Sequence, residues 1–215
     1  MVKNLESRAR LHAALGEPVR LAIVEELAVS DRSPKELGAR FGLASNLLAH
    51  HLEVLESVGL IERFVSAGDR RRRYLRLVRA PLAGLGVATA APAGRALFVC
   101  SHNSARSQLA AALWRDRTGG DAASAGTHPA ERVNPGAIAA GKRVGLDLAG
   151  TSPRALAPGE TADVVVTVCD QAHEELNPAP SWWHWSIPDP VEVGTAAAFD
   201  AAIADLDARI AALMN

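Results

Sequence analysis

Leu11, Leu15, Val19, Ile23 and Leu27 recur at a spacing of four, so residues 5–30 read as helix with one apolar face. Gly16 and Pro18 predict a break into two helices. Ser33-Pro34-Lys35-Glu36 is a helix start: Ser33 can cap, Pro34 fits the first helical position, and Glu36 completes a capping box. That helix is expected to end near Gly42. A second follows from about Ser45, with Leu48, Leu52 and Leu55 facing inward, and stops at Gly59. Leu60–Ser66 and Arg72–Val78 then read as short strands, turned by Ala67-Gly68-Asp69.

Ala80–Gly94 is rich in Pro, Gly and Ala and reads as a linker. Beyond it, strands alternate with helices. Arg95–Val99 is a short apolar strand, Ser107–Thr118 and Val133–Val144 are helices, and Thr195–Leu213 is an amphipathic closing helix. Asp163–Val168 is a nearly continuous β-branched run, as in a strand buried on both faces. The alternation predicts an α/β unit with a parallel sheet covered on both sides. The expected organisation is a mainly α winged helix-turn-helix over residues 1–79, a linker over 80–94, and the α/β unit over 95–215. No internal repeat is visible.

Composition sharpens this division. Apolar residues at 48% and charged residues at 22% fit packed cores and argue against disorder. The net charge of −1 hides an asymmetry: residues 1–79 carry 14 Lys and Arg against 10 Asp and Glu, whereas residues 80–215 carry 9 against 14. Two modules with different partners are implied. Cysteine is confined to Cys100 and Cys169, which excludes a secreted disulfide framework. The uncharged run Ala80–Gly94 is too short to cross a bilayer, and the charged start, Met1–Arg10, lacks the apolar stretch of a signal peptide. A reducing cytoplasm is the expected compartment, and no metal site, bound cofactor or membrane partner is expected.

In a winged helix-turn-helix, the second helix enters the major groove. Its exposed face here would offer Ser45, Asn46, Ala49, His50 and Glu53, of which Asn and His can bond base edges. Arg70, Arg71, Arg72 and Arg73 sit beside the hairpin turn and suit phosphate contacts or the minor groove, although such a run can also be a solvated face. The stretch from Leu11 to Leu77 resembles the ArsR/SmtB family of repressors, and the match covers nearly all of residues 10–78. The resemblance implies a homodimer that binds operator DNA and lets go when an inducer binds. Many arsenic-sensing members carry a Cys-Val-Cys that captures arsenite. Here the aligned run is Glu26-Leu27-Ala28-Val29-Ser30-Asp31, without thiols, so that site cannot form. The family's final helix is replaced by the linker.

The second constellation is Cys100-Ser101-His102-Asn103-Ser104-Ala105-Arg106-Ser107, set between a strand and a helix. Backbone N–H groups of residues 101–106, closing on a helix N-terminus, form a cradle for a tetrahedral oxyanion, arsenate or phosphate. Arg106 can grip two of its oxygens. The same positive end favours a thiolate at Cys100, to which Ser107 can donate. Asn103 tolerates the backbone angles of a tight loop. A bare Cys-x5-Arg spacing arises readily by chance. Ile187-Pro188-Asp189-Pro190 supplies the context: Asp189 is an acid on a rigid loop, able to protonate a leaving group.

This half resembles the low-molecular-weight protein tyrosine phosphatase fold and, within it, the arsenate reductases. The match runs from about Ala96 to Ile210, through the Cys100 loop, Ser124–Pro129, Val133–Leu148, Asp163–Ala172 and His184–Pro190. His102-Asn103 and His184-Trp185 resemble the reductases more than the phosphatases. By resemblance, Cys100 attacks arsenate, Arg106 holds it and Asp189 assists the leaving oxygen. Cys169 stands where thioredoxin-linked reductases keep their first resolving thiol; the alternative is a strand-end core cysteine. Those enzymes hold another cysteine some seven residues on, where this chain has only His173-Glu174-Glu175-Leu176-Asn177-Pro178. An external thiol such as mycothiol, glutathione or thioredoxin would finish the cycle. Trp182, Trp183 and Trp185 either wall the site or pack in the core. Three readings stay open: an active reductase that also regulates its operon, a repressor whose second domain senses an oxyanion or redox state, and a tyrosine-phosphatase-like enzyme with a docking module.

Overall fold

The computed structural model describes residues 2–82 and 94–214. The chain divides into two compact units. In the first, α1 (Val2–Leu15) and α2 (Pro18–Val29) are separated at Gly16, as the pattern predicts. Glu17 caps α2, its carboxylate accepting from the amides of Val19 at 3.1 Å and Arg20 at 2.9 Å. The capping box forms at α3 (Pro34–Phe41): the Ser33 amide donates to Glu36 Oε2 at 2.7 Å, and the Glu36 amide to Ser33 Oγ at 3.3 Å. Gly42 ends the helix in the left-handed region, φ 63°. Then follow α4 (Ser45–Ser57) and an antiparallel hairpin of β1 (Ile61–Val65) and β2 (Arg73–Leu77). Arg32 adds a third partner, exchanging both backbone bonds with Leu75.

Ile23, Leu27, Leu37, Leu52, Leu55, Leu60 and Leu75 form the centre of this unit's core. Each side chain so buried contributes roughly 1.5–3 kcal/mol. Buried Glu26 accepts from Arg32 Nε at 2.7 Å and pairs with Arg40 Nε at 2.6 Å, tying α2 to α3. The expected linker falls largely on residues 83–93, outside the described residues, and so does the suggested replacement of a final helix. Its first three residues do not behave as linker. Ala80–Leu82 forms a 3-10 turn, and Leu82 packs into the first core, as its apolar side chain favours.

The second unit alternates β3 (Ala96–Cys100), α5 (Arg106–Thr118), β4 (Ala122–Gly126), α6 (Pro135–Arg143), β5 (Val164–Thr167), α7 (Asp170–Leu176), β6 (Trp183–His184), α8 (Pro190–Val193) and α9 (Ala196–Leu213). The four strands are parallel in the order β4-β3-β5-β6. Helices cover both faces. On one, Phe98 lies 5.8 Å from both Trp114 and Trp185, under α5 and α9. On the other, Leu97, Val99, Ala125 and Val165 pack with Leu156, Leu176 and Trp182. Trp185 and Trp182 are thus core residues on opposite faces. The chain leaves β3 for β4 on one side and returns to β5 on the other, and such a reversal leaves a crevice at the strands' carboxyl ends. Among the described residues no helix is long and apolar enough to cross a membrane.

Candidate active site and nucleic-acid interface

β3 ends in Cys100 and α5 begins at Arg106, so residues 101–105 form the expected loop at the carboxyl edge of the sheet. Asn103 holds the tight turn at φ 49°. Its amide N–H points at Cys100 Sγ, 3.2 Å away. Its side-chain Nδ2 donates to Ser107 Oγ at 2.8 Å, which leaves the Ser107 hydrogen for Cys100 Sγ at 3.0 Å. The outer side of the loop is pinned by 127–134. The amides of Thr127, His128, Ala130 and Asn134 donate to the carbonyls of Cys100, Ser101, His102 and Ser104. Gly126 permits this approach, since a Cβ there would lie 2.7 Å from the Ser101 carbonyl oxygen. His102 is exposed and Ser104 half-buried, whereas Ser101, Asn103 and Ala105 are buried.

Arg106 and Asp189, 83 residues apart, are brought together. Arg106 Nη2 donates to Asp189 Oδ2 at 2.5 Å and Nη1 to the Ile187 carbonyl at 3.1 Å. The other Asp189 oxygen caps α8 through the Val191 amide at 2.9 Å. The guanidinium is therefore held by the chain's own carboxylate beside the thiol.

Cys169 is a free, buried thiol at the end of β5. It caps α7, accepting from the Ala172 amide at 3.4 Å, and its Sγ lies 3.4 Å from Ser101 Oγ. Burial pushes this thiol up; the Arg106 charge pulls it down and Cys100 pushes it up again. Sequence reasoning did not find the neighbouring group of Thr167, Asp170, His173 and His184, all buried. The only signal for it was the His184-Trp185 pair ahead of Asp189.

In the first unit, α3, a short turn and α4 form the helix-turn-helix. Ser45, Asn46, Ala49, His50 and Glu53 are exposed on α4, while Leu48, Leu52 and Leu55 are buried. His51 joins the buried side, its Nδ1 3.4 Å from Glu17 Oε2, and Leu47 is exposed. Neither was anticipated. Arg70, Arg71, Arg72 and Arg73 are exposed beside the hairpin turn. Arg73 Nη1 donates to the Arg70 and Arg72 carbonyls at 3.1 and 3.3 Å, which shapes the turn. Ala28 and Ser30 are buried, and Ser30 Oγ donates to the Asp31 carbonyl.

Residues 95–215 match the family described as low molecular weight phosphotyrosine protein phosphatase, and residues 15–63 match a helix-turn-helix domain. The chain belongs to that phosphatase family, with a helix-turn-helix domain ahead of it. An arsenate reductase of Staphylococcus epidermidis is 35% identical over 100 residues, 43% of this chain and 76% of the relative. An arsenate reductase of Halalkalibacterium halodurans is 34% identical over 102 residues, 44% of this chain and 73% of the relative. The low molecular weight protein tyrosine phosphatase of T. tengcongensis shares the fold at a TM-score of 0.50 and 22% identity, over 55% of this chain and 96% of its own. The second unit is of the arsenate reductase and low-molecular-weight phosphatase type.

Proposed function

We propose that the chain is a DNA-binding transcriptional regulator fused to a thiol-dependent arsenate reductase. It comprises a winged helix that extends through Leu82, a connecting segment up to residue 94 and a reductase domain over 95–215. The observation that carries the reading is the buried Cys100 thiol, with Ser107 Oγ at 3.0 Å and the Asn103 amide at 3.2 Å, beside the Arg106–Asp189 pair. Relatives named arsenate reductase support arsenate over a phosphoester as substrate.

The chemistry follows in balanced steps. Arsenate enters the 101–106 loop and takes the Arg106 guanidinium from Asp189. Asp189, released from Arg106 as a carboxylate, takes up the proton that Cys100 loses; Cys100 Sγ bonds to arsenic, an As–OH bond breaks, and the departing hydroxide takes that proton from Asp189 and leaves as water. Arsenic is still pentavalent in this adduct. Cys169 then attacks Cys100 Sγ: an S–S bond forms, the S–As bond breaks, and its electron pair stays on arsenic. Arsenite leaves with the Cys169 proton. Two external thiol equivalents, from mycothiol, glutathione or a thioredoxin system, reduce the disulfide and are themselves oxidised. A reducing cytoplasm suits this cycle.

The test is arsenite formation by the full chain with each reductant in turn. Turnover with at least one supports the reading. Arsenate binding without turnover would favour a sensor, and efficient aryl phosphate hydrolysis without arsenate reduction would favour a phosphatase.

On the DNA side, a homodimer would present Ser45, Asn46, Ala49 and His50 to operator bases and Arg70–Arg73 to phosphates. Replacing the four arginines by alanine should flatten the slope of log affinity against log salt by about 0.9 for each phosphate that is no longer neutralised. An unchanged slope in a binding titration would place the hairpin off the DNA.

A further inference from the structure

Three elements meet beside Cys169 through one imidazole. His184, which ends β6, is completely buried. Its Nε2 lies 3.1 Å from Oδ1 of Asp170, the first residue of α7 and the neighbour of Cys169. Its Nδ1 lies 3.0 Å from Thr167 Oγ1, at the end of β5. Thr167 Oγ1 is in turn 2.9 Å from His173 Nδ1, one turn along α7, and the two imidazole rings stack at 4.1 Å. One proton arrangement satisfies all three contacts. His173 Nδ1–H donates to Thr167, the Thr167 hydroxyl donates to His184 Nδ1, and His184 Nε2–H donates to the carboxylate.

Burial pushes the Asp170 carboxyl up, yet hydrogen bonds from His184 and Ser186 hold it below the usual carboxylate range. It is a buried anion. Such a pair is a poor source of net stability, because desolvation offsets much of the attraction. It does supply a fixed geometry, and what it fixes here is the turn that presents a thiol. The helix α7 has only 7 residues, too few to hold its own first turn. Cys169 is its cap and faces Ser101.

We propose that the Asp170–His184 pair is a positioning device for Cys169, locking the first turn of α7 to the end of β6 so that the thiol stays beside the Cys100 loop. The proposal rests on Cys169 being the resolving thiol. It acts at the exchange step, where Cys169 Sγ must reach Cys100 Sγ as the S–As bond breaks. A misplacement of about 1 Å at such a step costs on the order of a hundredfold. Neither residue enters the hydrolysis of a phosphoester, which needs only Cys100, Arg106 and Asp189.

The experiment uses the reduced full chain, arsenate and no external thiol. One turnover then yields one arsenite and consumes both cysteine thiols. Hydrolysis of p-nitrophenyl phosphate is followed in parallel. His184→Leu should slow arsenite formation by about tenfold to a hundredfold, with kcat and KM for the phosphoester changed by less than about threefold. His184→Gln, whose amide can still donate to Asp170, should recover most of the loss. Asp170→Asn keeps the volume and removes the charge, and it provides a milder second variant if His184→Leu does not fold. Reduction and hydrolysis falling together in a folded variant would overturn the proposal, as would reduction unchanged in both. Cys169→Ser separates the two readings. If the wild type forms no arsenite without external thiol, the resolving assignment fails. If only Cys169→Ser loses the single turnover while the His184 and Asp170 variants keep it, the positioning role alone fails.

Discussion

Cys100→Ser is expected to abolish both arsenate reduction and aryl phosphate hydrolysis, by a factor on the order of 10⁴ or more. An alcohol at this position is a far weaker nucleophile than a thiolate, and the two donors aimed at Sγ, the Asn103 amide and the Ser107 hydroxyl, cannot make it one. The fold should be undisturbed. Serine is close to cysteine in size, and the loop is held from outside by the backbone bonds of residues 127–134. Arg106 and the loop amides remain, so phosphate should still bind. Calorimetric titration with inorganic phosphate, beside both activity assays, checks the whole expectation. Appreciable turnover in the variant would remove Cys100 from its assigned role. Failure to bind phosphate would mean the substitution had collapsed the loop, and the activity loss would then say nothing about the nucleophile.

The winged helix was legible because its signals are local. Ser33, Pro34, Glu36 and Gly42 mark both ends of α3 within a few residues, and the leucines of α4 announce their own face. In the second unit, Val164–Thr167 and the Cys100 loop were legible for the same reason. What escaped depends on partners distant in sequence. β4, Ala122–Gly126, holds no β-branched residue and is a strand because β3 pairs with it. α7 is short and capped by a thiol in place of the usual hydroxyl or carboxylate. β6 is two residues long. At the site, residue types named Arg106 and Asp189 as participants, but their direct pairing needs the fold. Asp170 looks ordinary in sequence and His184 is marked only by its place beside Trp185; their joint burial, 14 residues apart, makes them a pair. The resemblance to arsenate reductases suggests a role for Cys169 that its spacing alone does not, and residues 173–178 hold no third thiol.

Cys169→Ser is the second decisive substitution, because on the proposed reading it divides two reactions that would share Cys100, Arg106 and Asp189. In phosphoester hydrolysis water completes the second step, and a buried residue behind Ser101 has no part in it. In arsenate reduction the second step needs two electrons, which a second thiol attacking Cys100 Sγ supplies as the S–As bond breaks. If Cys169 is that thiol, its loss should stop reduction, leaving the Cys100 adduct unresolved, while phosphoester hydrolysis stays within about threefold of wild type. Its burial and its capping bond to Ala172 set the alternative. A structural cysteine would drag both activities and the melting temperature down together. The two outcomes differ in kind, so parallel assays with a thermal melt suffice to separate them. Reduction that persists with a small thiol such as glutathione, and is lost without it, would show an external thiol attacking the Cys100 adduct directly. In that case Cys169 would be confined to capping α7, and the raised state of its buried thiol would be the ordinary consequence of desolvation.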